Sequence, residues 1–329
     1  MLKSIHAAPV LAFAVLTSGC GLDALTLVAE GSFTRTLSVA GPVELTVSTG
    51  SGSIEVRTGS TDEVHILGRI RAHGVGWNGL SADELVRRIE ADPPIRQSGR
   101  AVRLGPLEDR LLRQGVSISY EVTVPPNTSV RTNSGSGGQR IDGVRSEVDA
   151  SAGSGRIVIG HVAGPVRASA GSGAIELIDT AGGLDVSTGS GSIRADGVEG
   201  SVRARAGSGR VQLAIESTAG DVDVSTGSGS IAVSGVRGGV RLRAGSGRIV
   251  VDGAPIRDWN VRANSGSVEM RLPANAAFEL DASTGSGSID SAHPIELQGT
   301  LSRRRVQGTV RGGGPRIEAS TGSGSIRID

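Results

Sequence analysis

Residues 148–157 read Val-Asp-Ala-Ser-Ala-Gly-Ser-Gly-Arg-Ile, and residues 166–175 repeat the pattern as Val-Arg-Ala-Ser-Ala-Gly-Ser-Gly-Ala-Ile. Working outward from this pair, a Gly-Ser-Gly turn recurs every 18 to 21 residues between residue 131 and the C-terminus, with one longer interval before the last copy. The turns begin at Gly135, Gly153, Gly171, Gly189, Gly207, Gly227, Gly245, Asn264 (in place of glycine), Gly285 and Gly322. A fixed period of this size is the signature of a solenoid.

The charge four residues before each turn alternates in sign from one copy to the next. The alternating residues are Arg131, Asp149, Arg167, Asp185, Arg203, Asp223 and Arg241. In parallel strands stacked about 4.8 Å apart, this alternation places opposite charges side by side. The column therefore predicts the register of the stack, and it is also a candidate ladder for binding an extended polymer.

Apolar residues recur at matched places in each copy, which argues against a flexible Gly/Ser linker. Ile157 and Ile159 alternate with polar or small neighbours on one side of a turn, and Val166 and Ala168 alternate on the other. Two such runs can each bury one face. We therefore predict an all-β protein, a single-stranded right-handed parallel β-solenoid (β-helix) with about 18–20 residues per coil.

The repeats divide the chain after its first 32 residues into two regions. Residues 33–130 are expected to form N-terminal strands and a cap, with one short helix near 82–91 that starts at a capping box and stops before Pro93-Pro94. Residues 131–329 are expected to form the repetitive solenoid. Within it, the interval 290–317 is predicted to be a degenerate coil, with a projecting loop as the alternative. The last residues, 325–329, read as half a coil without a cap and so as an edge for self-association.

The N-terminus reads as an export signal, with a positive start at Lys3 and an apolar stretch before Cys20. Residues 16–20, Leu-Thr-Ser-Gly-Cys, resemble a bacterial lipobox, although Thr17 stands where that pattern favours leucine. We predict a lipoprotein signal peptide at 1–19, lipidation of Cys20 and a lipidated tether at 20–32. Gly21 follows the cysteine in place of Asp, which favours the outer membrane of a Gram-negative bacterium as the final location.

Composition and charge exclude several classes of partner. The 34 basic and 33 acidic residues leave a formal net charge of +1. Basic residues alternate with acidic ones along the chain, so we predict no basic patch and no nucleic-acid partner. The five histidines lie at positions 6, 65, 73, 161 and 293, without metal-ligand spacing, so no metal or cofactor is expected.

The residues that could carry catalysis have structural interpretations. A serine recurs inside every turn, too often for a nucleophile, and its hydroxyl is expected to stack from coil to coil. A polysaccharide-cleaving β-helix enzyme needs two carboxylates that converge on one cleft. Asp149, Asp185 and Asp223 are instead flanked by arginines of adjacent coils, and Glu269 is the further candidate. We predict no catalytic residues and no enzymatic activity.

Residues 118–128, Ile-Ser-Tyr-Glu-Val-Thr-Val-Pro-Pro-Asn-Thr, followed by Ser/Thr-Gly-Ser-Gly-x-Ile coils, resemble the bacterial putative adhesin family, a domain of unknown function on exported proteins. The resemblance spans roughly residues 33–329. It implies a β-solenoid on an exported protein and surface adhesion, and it assigns no catalytic residues.

These observations predict a non-enzymatic, lipid-anchored cell-envelope protein that acts as an adhesin or surface scaffold. Its expected partners are the membrane, through the N-terminal lipid, and envelope glycans or surface proteins. Two alternatives stay open: a polysaccharide-active β-helix enzyme, and a self-assembling, bactofilin-like filament formed through the C-terminal coil.

Overall fold

The computed structural model describes residues 28–39, 41–59, 62–73, 81–107, 115–216, 220–297 and 302–329. In these ranges strands are the predominant secondary structure, and there is one ten-residue helix. The elements in chain order are β1 (Val28–Ser38), β2 (Glu44–Thr49), β3 (Ile54–Thr58), β4 (Glu63–His73), α1 (Ala82–Ala91), β5 (Ile95–Ser98), β6 (Ala101–Leu104), β7 (Val116–Val124), β8 (Ser129–Ser134), β9 (Gln139–Asp142), β10 (Val148–Ala152), β11 (Ile157–Val162), β12 (Val166–Ala170), β13 (Ile175–Thr180), β14 (Leu184–Thr188), β15 (Ile193–Val198), β16 (Val202–Ala206), β17 (Val211–Ile215), β18 (Val222–Thr226), β19 (Ile231–Val236), β20 (Val240–Ser246), β21 (Ile249–Gly253), β22 (Trp259–Ser265), β23 (Val268–Arg271), β24 (Phe278–Ser286), β25 (Ile289–Ser291), β26 (Glu296–Leu297), β27 (Arg305–Val310), β28 (Arg316–Ser323) and β29 (Ile326–Ile328).

The strands form two long sheets, and each coil gives one strand to each sheet. Sheet A has the order β1-β4-β7-β3-β9-β11-β13-β15-β17-β19-β21-β23-β29-β25. Sheet B has the order β26-β27-β24-β28-β22-β20-β18-β16-β14-β12-β10-β8-β2-β6-β5. Neighbouring coils pair in parallel, as β10 does with β12 and β11 with β13. The prediction of an all-β parallel solenoid is confirmed.

The core lies between the two sheets. In β12 and β13 the inward positions Val166, Ala168, Ile175 and Leu177 are buried, and the residues between them are exposed or half-buried. Aromatic residues make up 2% of the chain. Small branched side chains fill this core because each coil packs only against its neighbours and the opposite sheet.

From the turn at Gly135 onward, the Gly-Ser-Gly turns stack so closely that they leave no room for a side chain on either glycine. A Cβ on Gly153 would lie 2.4 Å from the carbonyl oxygen of Gly135 one coil away, and a Cβ on Gly155 would lie 2.0 Å from that of Gly137. The backbone N–H of Ser154 donates to the Gly135 carbonyl at 3.0 Å. The sequence predicted a stack of serine hydroxyls instead. In the described turns the backbone carries the ladder, and the hydroxyl of Ser154 is exposed.

The N-terminal end of the stack is closed by strands that come later in the chain than the first coil. The β2/β3 coil lies between β8/β9 on one side and β6/β7 on the other. Beyond these, β4 and β5 pair antiparallel with β7 and β6, and β1 pairs antiparallel with β4. Helix α1 packs on β1 and β4 and occupies the residues where the capping box places it, with the Glu84 N–H donating to Ser81 Oγ at 3.2 Å.

The C-terminal end reverses the order of the last coils. The final coil, β28/β29, lies between β22/β23 and β24/β25. Ile317 is therefore paired with Trp259 on one side and with Leu280 on the other. The prediction of a free edge at residues 325–329 is therefore wrong, because Ile326 has a strand neighbour on each side. Self-association stays a prediction, but this coil does not offer an open edge for it.

The interval 290–317 forms neither of the expected structures. After β25, the short strand β26 and then β27 fold back, and β27 pairs antiparallel with β24 over Phe278–Ser283. The degenerate-coil prediction is wrong for the described part of this interval. The described part of this segment instead pairs along the edge of β24 that faces away from β28 in sheet B.

Candidate functional site

The predicted charge column lies on the outer face of sheet B. The structure places Arg131 opposite Asp149, Asp149 opposite Arg167, and so on through the column. The same register continues through the remaining members, Asp185, Arg203, Asp223 and Arg241. We call these seven residues the ladder column. The column continues into Asn260, Glu318 and Asp281.

Ion pairs in the ladder column are long and exposed. Arg131 Nε lies 3.3 Å from Asp149 Oδ2, and Arg203 Nη1 lies 3.9 Å from Asp185 Oδ2. Arg167 pairs with Glu147, outside the column. Exposed pairs of this kind contribute about 0–1 kcal/mol each. The column therefore leaves charged groups available to solvent or a ligand.

A second column, two residues further along each strand, lies on the same outer face and breaks the alternation of charge. In the earlier coils it holds Asn133, Ser151, Ser169 and Ser187. In the later coils it holds Arg205, Ser225, Arg243 and Arg262. The prediction that basic residues form no patch is wrong here. We call Arg203, Arg205, Arg241, Arg243 and Arg262 the arginine patch.

The arginine patch was not predicted from the sequence, because the charge alternation concerns one position per repeat. Residues two apart on a strand point to the same side of the sheet. Tracing the position two residues after the ladder column would have shown serines replaced by arginines at Arg205, Arg243 and Arg262. The signal was therefore present in the sequence.

Buried threonines before some turns were also missed. Thr188 Oγ1 donates to the Gly173 carbonyl of the preceding coil at 3.0 Å and accepts from the Gly191 N–H of its own turn at 3.1 Å. Thr226 makes the same two contacts, with Gly209 and Gly229. These threonines lock the turns and do not face solvent.

The structure does not bring the candidate catalytic carboxylates together. Asp149 and Asp185 lie two strands apart, about 10 Å, and so do Asp185 and Asp223, with an arginine on the strand between each pair. Glu269 lies on sheet A, where it contacts Arg248 at 2.8 Å and Arg271 at 2.6 Å. It is therefore on the other sheet and neutralised by two guanidinium groups.

One histidine lies between two carboxylates at a corner of sheet A. His161 Nδ1 is 2.8 Å from Asp142 Oδ1, and its Nε2 is 3.5 Å from Asp179 Oδ2. The hydrogen bond to Asp142, the charge of Asp142 and the charge of Asp179 raise the pKa of His161 above its ordinary value. In the described ranges no three histidine, cysteine or acidic residues form a group that could hold a metal ion.

The predicted signal peptide at 1–19 and the predicted lipidation site Cys20 lie outside the described residues. The described part of the tether at 20–32 is the start of β1. No described helix has the length and apolar character needed to cross a bilayer.

Comparison with known proteins identifies a family. The model of the Toastrack DUF4097 family matches residues 165–329. A putative cell adhesion protein from Clostridium sporogenes aligns with 91% of this chain and 99% of its own, at 11% identity and a TM-score of 0.28. A putative adhesin from Bacteroides fragilis aligns with 91% of this chain and 97% of its own, at 13% identity and a TM-score of 0.36. No curated protein sequence matches the chain.

Proposed function

Since this chain belongs to the Toastrack DUF4097 family, which is a domain of unknown function, we propose its role from the geometry. It is a non-enzymatic protein of the cell envelope that displays a rigid, repetitive β-solenoid for binding. It is exported and held at the outer membrane by a lipid on Cys20.

The observation that carries the display role is the register of sheet B. Exposed or half-buried polar and charged side chains repeat at every strand, from Arg131 to Arg262, on one continuous outer face. A surface of this kind binds an extended partner through many weak contacts. The fixed spacing allows these contacts to form together, which raises the overall avidity. Stacked backbone hydrogen bonds at the turns hold that spacing rigid.

The anchor is inferred from the N-terminal sequence and from the position of β1 in sheet A. Cys20 is the single cysteine of the chain and stands at the end of an apolar export signal. Val28, eight residues later, starts the strand at the outer edge of sheet A, at the capped end of the stack. A lipid on Cys20 would therefore hold the capped end at the membrane and leave the ladder column accessible.

The test is metabolic labelling with a radioactive or clickable fatty acid in a Gram-negative host, followed by membrane fractionation. We expect label and outer-membrane recovery for the wild-type chain and loss of both for Cys20→Ala. Ser18→Ala keeps the cysteine and is the matched control, with label retained.

Two outcomes would contradict the proposal. Wild-type protein without label, recovered as free periplasmic or secreted protein, would remove the anchor. Hydrolysis of acidic or neutral polysaccharides by the wild-type chain, abolished by Asp185→Asn but not by Asp290→Asn, would replace display with catalysis.

A further inference from the structure

We infer that the arginine patch binds an acidic polysaccharide that runs along the stack, across successive strands of sheet B. This inference rests on the proposed display role, because it names the ligand of that face. The patch spans four adjacent strands, β16, β18, β20 and β22.

Positive charge is concentrated on these four strands. On these four strands the two outward columns hold five arginines and one acid, Asp223, which leaves four net positive charges. On the four preceding strands, β8 to β14, the same columns hold two arginines and two aspartates and are neutral. The positive charge is therefore local to one half of the face, although the chain as a whole is nearly neutral.

The pairing of two arginines of the patch on adjacent strands is unfavourable in the free protein. Arg243 and Arg262 are direct partners in adjacent parallel strands, about 4.8 Å apart at the backbone. Like charges directly opposite each other destabilise a sheet. The ladder column avoids this arrangement from Arg131 to Arg241, so the sheet tolerates at this point a repulsion that an anionic ligand would relieve.

The guanidinium groups of the arginine patch keep free hydrogen-bond donors. Arg203 and Arg205 share one carboxylate, Asp185, at 3.9 and 3.6 Å, and Arg262 lies 3.4 Å from Glu318. Neither Arg241 nor Arg243 takes part in an ion pair within the described ranges, and both are exposed. Arginine presents planar, paired N–H donors that match a carboxylate, so these groups can bind uronate carboxylates in bidentate fashion.

The geometry favours a sugar polymer over a nucleic acid. The arginines recur across adjacent strands about 4.8 Å apart, so a linear polyanion that runs across the strands can meet several of them at once. Ser225, between Arg205 and Arg243, supplies a hydroxyl suited to sugar hydroxyl groups. Neither outward column carries an aromatic side chain on these strands, whereas single-stranded nucleic acids are bound by stacking of bases on aromatic rings.

The test measures binding of the full chain, purified in detergent, to immobilised polygalacturonate by biolayer interferometry over a series of salt concentrations. We expect binding that weakens as salt rises, and an affinity at least tenfold lower for the double variant Arg243→Gln/Arg262→Gln. The double variant Arg140→Gln/Arg327→Gln also removes two positive charges, but from the outer face of sheet A, and is the matched control. We expect its affinity to stay within twofold of the wild type.

Equal losses in the two double variants would overturn the inference, because binding would then follow net charge alone. Equal binding to neutral dextran would also overturn it, as would tighter binding of a single-stranded DNA oligomer through the same arginines. Absence of polygalacturonate binding overturns it as well. If Cys20 is labelled and the wild-type chain hydrolyses no polysaccharide in that case, the proposed function survives and only the ligand assignment fails.

Discussion

At the residue scale, the first glycine of a stacked Gly-Ser-Gly turn is required by its neighbour along the stack and not by its own backbone conformation. Gly153 has an ordinary backbone and needs glycine only because the carbonyl of the preceding coil occupies the place of a Cβ. Gly50, at the same place in the β2/β3 turn, has no atom within 4 Å of its would-be Cβ. The two positions share a sequence motif and differ only in what lies next to them along the stack.

This difference predicts opposite responses to one methyl group. Gly153→Ala forces two coils apart and is expected to lower the free energy of unfolding by about 1–3 kcal/mol. Gly50→Ala meets open space and is expected to change it by no more than about 0.5 kcal/mol. Urea denaturation followed by circular dichroism measures both. Equal destabilisation would show that the turns need glycine for another reason.

His161 makes a pH-dependent contribution to the stability of the folded protein. Because its pKa is raised by Asp142 and Asp179 in the folded state, folding favours the protonated ring. The stabilisation is complete below the unfolded pKa of about 6.5 and is lost as pH rises through the raised folded pKa. Asp142→Asn should therefore lower the melting temperature at pH 5 and leave it unchanged at pH 9.

An NMR titration of the His161 ring checks the same point directly. Its pKa should fall towards the ordinary value in Asp142→Asn and stay raised in Asp290→Asn, which removes a carboxylate far along sheet A. A His161 pKa that does not respond to Asp142→Asn would contradict the assignment of cause.

At the scale of elements, the sequence specifies coils but not their order in space. The Arg/Asp alternation sets the register of adjacent coils, and Ser81 with Glu84 marks the start of α1. The final coil and the β24/β25 coil carry the same Ser-Thr-Gly-Ser-Gly motif, at 283–287 and 320–324. Either could pair with β22 by local pattern, so the repeat alone could not predict that the last coil lies inside the stack.

The inserted coil predicts an unusual effect of truncation. Removing residues 316–329 takes away a central rung, so β22 and β24 both lose a partner. We expect residues 278–297 to become sensitive to protease although they remain in the chain, and we expect aggregation through the exposed edge of β22. Limited proteolysis with mass spectrometry measures this, with Arg327→Ala, an exposed substitution, as the control.

This account would be contradicted if residues 278–297 resisted protease as well in the truncated chain as in the full-length chain. It would mean that β24/β25 can move inward and pair with β22/β23 directly. The two possible neighbours of β22 would then be close in energy.

At the scale of the whole molecule, the two ends differ from the repetitive middle in how far apart in sequence their strands pair. Coils in the middle pair with a coil 18 to 20 residues away, as Val166 does with Leu184 and Val202 with Val222. Trp259 pairs with Ile317, 58 residues later. Closing a longer loop costs more entropy, and non-local pairing slows folding.

This organisation predicts two stages of refolding. In a Trp77→Phe chain, Trp259 is the remaining tryptophan, buried and donating its Nε1–H to the Gly238 carbonyl at 3.0 Å. We expect circular dichroism to recover before the last phase of Trp259 fluorescence. Ile317→Ala should slow that late phase, whereas Ile157→Ala, in the middle of the stack, should affect the early phase. Superimposable traces in all variants would contradict the order.

The placement of the last coil also decides how the molecule bears mechanical load. A pull on the C-terminus must strip a strand that is hydrogen-bonded to β23 and to β25 at once, so it cannot unzip the stack from a loose end. A pull on the N-terminus acts on β1, which is paired with one strand, β4, along eleven residue pairs. If the chain is tethered at its N-terminus, tension acts first on the antiparallel pairing of β1 with β4. We expect this pairing to break before the parallel coils behind it.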